Sequence, residues 1–77
     1  MQNYSHHTYG VEYRLREDNS VLFYHSFSAD EKEFAVPQKA GEKIEIDEKN
    51  YEVQKIIRKI STGNNKTTFV VYLIERD

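Results

Sequence analysis

The sequence contains no cysteine, one proline and three glycines, and each of these shortages restricts what the protein can be. Without cysteine there are no disulfides and no thiolate chemistry, so a small core has to rely on strand packing, on a partner subunit or on both. The glycines stand alone at positions 10, 41 and 63, which excludes a glycine-rich phosphate loop. At 77 residues the chain is expected to form one domain, residues 1–77, with a thin core and little room for a catalytic cleft.

A long apolar run is also missing. The first seven residues have neither a basic lead nor an apolar stretch, so we expect no signal peptide, and we expect no membrane span elsewhere. The expectation is therefore a soluble, cytoplasmic protein, with residues 1–8 as a flexible N-terminal arm. Aspartate plus glutamate exceed lysine plus arginine by 13 to 11, so the overall charge gives no general attraction to nucleic acid.

The apolar residues recur with a period close to two, which predicts strands throughout. Residues 9–15 alternate apolar and polar side chains and form the first predicted strand, and residues 17–20 form a turn. The second predicted strand, residues 21–27, is rich in β-branched and aromatic side chains. Its alternation is expected to place four residues on one face, namely Val21, Phe23, His25 and Phe27.

Residues 28–36 allow two interpretations. Ser28 followed three residues later by Glu31 is a capping box, which predicts a single helical turn. The alternative is a hairpin loop over residues 29–32 that leads into a short strand, Glu33 to Val36. We favour the hairpin loop, because Pro37 leaves no room for a real helix.

The clearest hairpin lies in the second half of the chain, where two alternating segments flank residues 47–50. A four-residue loop there would place Ile46 near Tyr51 and Ile44 near Val53. Asn50 is the loop residue expected to tolerate a left-handed conformation.

The strand that follows this hairpin changes parity between Gln54 and Ile56, which predicts a β-bulge that bends it. The last strand, Thr67 to Arg76, is apolar on both faces and needs cover on both. We therefore predict an all-β fold of five to six antiparallel strands, arranged as a hairpin meander in a small barrel or strongly curled sheet. The second apolar face would be covered by the N-terminal segment or by another chain, so a homodimer is an open alternative.

The segment from Gly41 to Ile56 joins a glycine, charged residues, an Ile-x-Ile pair, a polar turn and Tyr-x-Val. This pattern resembles that of SH3-like small β-barrel proteins, many of them encoded by bacterial phages and mobile elements. The resemblance implies an SH3-like barrel and a binding or adaptor role. In a phage setting it implies interaction with a host protein or a virion component. The resemblance does not assign a function to any individual residue of this chain.

The strongest candidate site is a basic hairpin at residues 55–68, because the chain has no acidic residue between Val53 and Ile74. An arginine there could hold a phosphate in a bidentate contact, lysines would add charge, and nearby tyrosines could stack a base. The less specific interpretation is that lysines on exposed strands guard against aggregation. The candidate anion or nucleic-acid ligands are Lys55, Arg58, Lys59 and Lys66.

Six tyrosines and four phenylalanines are many for so small a domain, and a thin core cannot bury all of them. Tyrosine is common at interfaces because it combines a large apolar area with a hydroxyl group that water can satisfy. We therefore expect an exposed aromatic patch for a protein partner or for self-association. The candidate interface residues are Tyr4, Tyr9, Tyr24 and Phe34.

Catalysis has the least support. His6 and His7 would point to opposite faces of a strand and could not easily share a metal ion, and His25 is more simply a structural strand residue. The acids at positions 42–52 are typical of a solvated hairpin. No enzyme activity, metal or cofactor is expected. The leading prediction is a non-enzymatic module that docks on a protein, and the alternative is a nucleotide or nucleic-acid binder that uses the basic hairpin.

Overall fold

The computed structural model describes residues 7–31 and 36–76. These residues form a single five-stranded sheet that curls through 272° into a half-barrel, which confirms the predicted fold class. The order across the sheet is β2-β1-β5-β4-β3. The strands are β1 (Thr8–Leu15), β2 (Val21–Phe27), β3 (Lys43–Ile46), β4 (Lys49–Ser61) and β5 (Lys66–Arg76).

The central pair, β1 and β5, is parallel, from Thr8 opposite Lys66 to Leu15 opposite Leu73. The other three pairs are antiparallel, so the predicted antiparallel meander does not hold for this one pair. The central position of β5 suits its two apolar faces, since a central strand is the most deeply covered strand of a sheet. One edge of β5 pairs with β4, and β1 fills the other while running in the same direction.

The core lies on one face of the sheet, which we call the inner face. The parallel register places Val11 opposite Phe69 and Tyr13 opposite Val71 on this face. Val36, from the connection between β2 and β3, is also buried in this core. Four core side chains are at most 1 % exposed, namely Val11, Val53, Val71 and Leu73. The opposite face, which we call the outer face, carries the even-numbered residues of β1 and β5, including Glu12, Val70 and Tyr72.

The β3–β4 hairpin is tighter than predicted. Asp47 and Glu48 alone form the turn, with φ of 51° and 68°, and Ile46 pairs with Lys49. Positive φ at both central residues is the mark of a type I′ turn, whose twist matches that of the flanking strands. Ile44 therefore lies opposite Tyr51 rather than Val53, and the predicted four-residue loop was wrong.

Two irregularities of register shape the sheet. The first lies between Val53 and Lys55 and leaves Gln54 as an extra residue in β4, which confirms the predicted bulge. The second was not predicted, and it leaves Leu22 as an extra residue in β2. Because of it, Val21 lies opposite Arg14 and does not share the inner face with the aromatic residues of β2, contrary to the prediction.

One 3₁₀ turn, Ala29–Glu31, follows β2. The backbone N–H of Ser28 donates to Glu31 Oε1 (3.3 Å) and that of Glu31 donates to the Ser28 carbonyl (3.0 Å). The predicted single helical turn is thus confirmed for residues 29–31, which the favoured interpretation had placed in a hairpin loop, and the contact of the Ser28 N–H with the Glu31 side chain is one half of a capping box. Of the predicted strand Glu33 to Val36, residues 33–35 lie outside the described residues, and Val36 lies in a bend.

The last two residues of the predicted flexible arm belong to the folded sheet. Thr8 begins β1, and the His7 side chain is hydrogen-bonded to the start of β5 and the turn before it. The His7 ring nitrogens lie 3.0 Å from Asn65 Oδ1 and 2.7 Å from Thr67 Oγ1. One neutral tautomer satisfies both contacts, with Nδ1–H as donor and Nε2 as acceptor. Residues 1–6 of the predicted arm, including His6, lie outside the described residues. Within the described ranges, no helix has the length and apolarity needed to cross a membrane.

Candidate binding surfaces

The first candidate surface is the outer edge of β2, which we call the β2 edge and define as Val21–Phe27. This strand ends the sheet, and among residues 7–31 and 36–76 no strand pairs with its free side. It has no lysine, arginine, aspartate, glutamate or proline. Val21, Phe23 and Tyr24 are 50 %, 48 % and 42 % exposed. An extended apolar segment therefore borders a row of backbone N–H and C=O groups that no described strand pairs.

The opposite edge of the sheet has a different composition. There β3 reads Lys-Ile-Glu-Ile, and the distal half of β4, residues 55–61, carries three cations. Charges on an edge strand oppose pairing with another chain, whereas an uncharged apolar edge permits it. Only the β2 edge lacks this protection among the described edges.

The inner side of β2 extends the aromatic core to the rim of the half-barrel. The Phe23 and His25 rings lie 6.3 Å apart and 10° from parallel, and the His25 and Phe27 rings lie 6.4 Å apart at 15°. Phe27 is buried and stacks on Phe69 at 6.3 Å, whereas Phe23 and His25 are exposed. The row of rings thus leads from the core to the solvent at the β2 edge.

The second candidate surface is a basic region on the outer face. Lys55 lies opposite Tyr72 and Lys59 opposite Thr68, so both share the outer face with Lys66. Arg58 lies opposite Phe69 and therefore belongs to the inner face. The structure brings together three of the four predicted anion ligands and separates the arginine from them.

Two of these lysines contact tyrosine rings on the outer face. Lys55 Nζ lies 5.3 Å from the centre of the Tyr72 ring, and Lys66 Nζ lies 5.4 Å from that of Tyr24. Hydrogen bonding of the Tyr24 phenol to the Lys66 side chain, followed by that to Ser26, lowers the pKa of Tyr24 below its ordinary value. Each pair is a cation–π contact at a wet surface.

The predicted aromatic interface is divided between the two faces. Tyr9 is half-buried on the inner face and stacks on Phe27 at 5.6 Å, whereas Tyr24 lies on the outer face opposite Glu12. Tyr4 and Phe34 lie outside the described residues. Val21 and Phe23 are exposed residues outside the predicted patch, and the absence of charge in β2 is the sequence signal that points to them.

The residues weighed for catalysis have structural contacts. His25 is an exposed member of the ring row on β2. The Glu42 carboxylate accepts hydrogen bonds from the backbone N–H groups of Gln38 and Lys39, at 2.7 and 3.0 Å, and so orders the connection before β3. Glu52 forms an ion pair with Arg76 at 3.1 Å.

Comparison of the chain with protein-family models, with curated proteins and with solved structures finds no match. The two candidate surfaces are therefore interpreted from the geometry and chemistry of this chain alone.

Proposed function

We propose that the protein is a non-enzymatic binding module that docks on a protein partner by accepting an extended segment of that partner along the β2 edge. The observation that supports this proposal is the uncharged, proline-free composition of an exposed edge strand. An edge of this kind promotes pairing with other chains, and proteins normally block it with charges, prolines or a covering segment.

Strand addition suits the chemistry of this edge. The backbone groups of β2 that face away from β1 would pair with the partner's backbone, and this pairing is the main source of affinity in strand addition. Specificity would come from side chains on alternate positions. On the inner side Phe23 and His25 offer flat rings, and on the outer side Tyr24 offers a ring with a polar tip.

The partner expected for such an edge is a protein with an extended, apolar segment free of like-sign charge runs. The resemblance to SH3-like barrels of phages and mobile elements extends the proposal to a host protein as that partner. Burial of Val21, Phe23 and Tyr24 would add an apolar contribution, at roughly 25 cal/mol per Å² removed from water.

The proposal is tested by affinity capture from the native host with the wild-type protein and two variants. Phe23→Lys places a charge on the β2 edge. Ile60→Lys is the matched control, because Ile60 is 58 % exposed and lies on β4, away from β2. Near-ultraviolet circular dichroism checks that both variants remain folded. We expect the captured protein to be lost with Phe23→Lys and kept with Ile60→Lys.

Amide hydrogen exchange on the purified complex then locates the contact. Strand addition predicts slower exchange for the backbone amides of β2 in the complex than in the free protein, with little change in β3. A complex that leaves exchange in β2 unchanged, or that loses affinity equally with both lysine variants, would refute docking at this edge.

A further inference from the structure

We infer that the outer face of the sheet is a second binding site, for single-stranded nucleic acid, which shares Tyr24 with the β2 edge. The ligands are the ammonium groups of Lys55, Lys59 and Lys66 together with the rings of Tyr24 and Tyr72. We call this set the outer-face site.

The three lysines surround a strip of β5 on the outer face. Lys55 and Lys59 lie along one side of the strip, four residues apart on β4, which corresponds to roughly 13 Å at 3.3 Å per residue. Lys66 lies at one end of the strip, on β5 itself, opposite Ser61. To contact one phosphate group, these side chains would have to leave their present positions and converge, since the Lys55 and Lys66 ammonium groups lie over different rings. A chain of phosphates can contact them without such convergence, which favours a polymer over a mononucleotide.

The local charge is positive although the chain as a whole carries −2. The sequence from Val53 to Ile74 holds no carboxylate. It includes all three lysines of the site, two on β4 and one on β5. On the outer face of β1, Glu12 forms an ion pair with Arg14, which offsets its charge. Phosphates that approach this region therefore meet an excess of cations, and their neutralisation releases counterions.

The tyrosines supply the preference for unpaired bases. Tyr24 and Tyr72 lie on the same face, with β1 between the strands that hold them. In the free protein, lysine ammonium groups cover these rings at 5.3–5.4 Å. A phosphate that draws the ammonium group aside would free the ring for stacking. Stacking requires a splayed base, which a single strand offers and a duplex does not.

Arg58 makes the inference testable against the simpler view that any cation on this hairpin attracts nucleic acid. It is adjacent to Lys59 on β4 and carries the same charge, yet it lies on the inner face opposite Phe69. A face-specific site depends on Lys59 and not on Arg58. Nonspecific attraction depends on both to the same degree.

The experiment is fluorescence anisotropy with a labelled single-stranded DNA of about 10 nucleotides, within the range bound by small β domains. Wild-type protein should bind with an affinity that falls as salt rises, with a slope of log K against log salt near −2 for about 3 phosphates neutralised. Lys59→Ala should make this slope about 0.7 less steep, while Arg58→Ala should leave it unchanged. Tyr72→Leu should weaken binding at least about fivefold through lost stacking.

Three outcomes would overturn the inference. One is equal loss of binding with Arg58→Ala and Lys59→Ala. Another is a duplex of the same length that binds as tightly as the single strand. The last is the absence of salt-dependent binding at low ionic strength. Circular dichroism of each variant distinguishes loss of a ligand from loss of the fold.

Discussion

The ring of Tyr24 lies across Gly10, so closely that a Cβ at position 10 would sit 2.8 Å from the Tyr24 Cζ. The two residues are diagonal neighbours, because Gly10 pairs with Ser26 and Tyr24 pairs with Glu12. The missing side chain lets the ring pass over β1 and reach Lys66 on β5. Gly10 thus serves the packing of the outer face.

Gly10→Ala is expected to displace Tyr24 and to raise the pKa of its phenol toward the ordinary value near 10, because the contacts to Lys66 and Ser26 would be lost. The lowered pKa of the folded state favours tyrosinate. Its contribution to stability is therefore complete above the unfolded pKa and is lost as pH falls through the folded pKa. The part of the stability difference between wild type and Gly10→Ala that comes from this ionisation should appear only in alkaline solution, whereas the cost of displacing the ring is present at every pH. A pH titration of tyrosinate absorbance measures the pKa of Tyr24 in wild type and variant, and Tyr24→Phe assigns the signal.

Two controls accompany this titration. Gly63→Ala adds a methyl group where no atom outside residues 62–64 lies within 4 Å, and it should leave the titration of Tyr24 unchanged. Tyr13 should titrate later than Tyr24, because burial, and then the Glu42 carboxylate, raise its pKa. If Tyr24 ionises at the same pH in the Gly10→Ala variant, the packing of its ring over Gly10 is not what sets its pKa.

Glu48→Gly is expected to stabilise the protein by roughly 0.5–1 kcal/mol. Glu48 has a φ of 68° in the β3–β4 turn, a left-handed conformation that disfavours side chains and suits glycine. The gain is reduced because glycine also increases the entropy of the unfolded chain. Chemical denaturation measures the free energy of unfolding. Lys49→Gly, one residue further and inside β4, should instead destabilise, and a stabilising Lys49→Gly would contradict the assigned turn.

Leu73→Ala is expected to reduce the free energy of unfolding by about 2–5 kcal/mol, because the side chain is fully buried between β1 and β4. Ile60→Ala should change it by less than about 0.5 kcal/mol, since that side chain is mostly exposed. Equilibrium denaturation in urea compares the two variants. Similar effects at both positions would mean that the core is not centred on Leu73 and its buried neighbours.

Much of the fold could be predicted from local patterns. Alternation gave the bounds of β2 correctly, and the change of parity near Gln54 located the bulge in β4. The two-sided apolar character of β5 indicated that it needs cover on both faces. The parallel pairing of β1 with β5 could not be read in the same way, because it joins residues 58 positions apart, and no local pattern encodes which free edge a strand will fill.

The candidate surfaces were less predictable. The absence of acids between Val53 and Ile74 indicated a basic region, but the sequence places Arg58 beside Lys59 and does not show which face each occupies until the bulge is located. The predicted aromatic patch joined Tyr9 to Tyr24, and the alternation of β1 and β2 places them on opposite faces. Prediction of the β2 edge as a binding surface would have required knowing that β2 ends the sheet, which is a property of the whole topology.

The position of β5 at the centre of the sheet also bears on how the protein is made. Of the five described strands, β5 follows the other four in the chain, and it joins the β1–β2 hairpin to the β3–β4 hairpin, which share no strand pairing of their own. During synthesis the four earlier strands would therefore have open edges until β5 leaves the exit tunnel of the ribosome. The edge of β1 that β5 fills, beside the uncharged β2, stays open until then, so we expect self-association of the chain to be strongest before β5 is available.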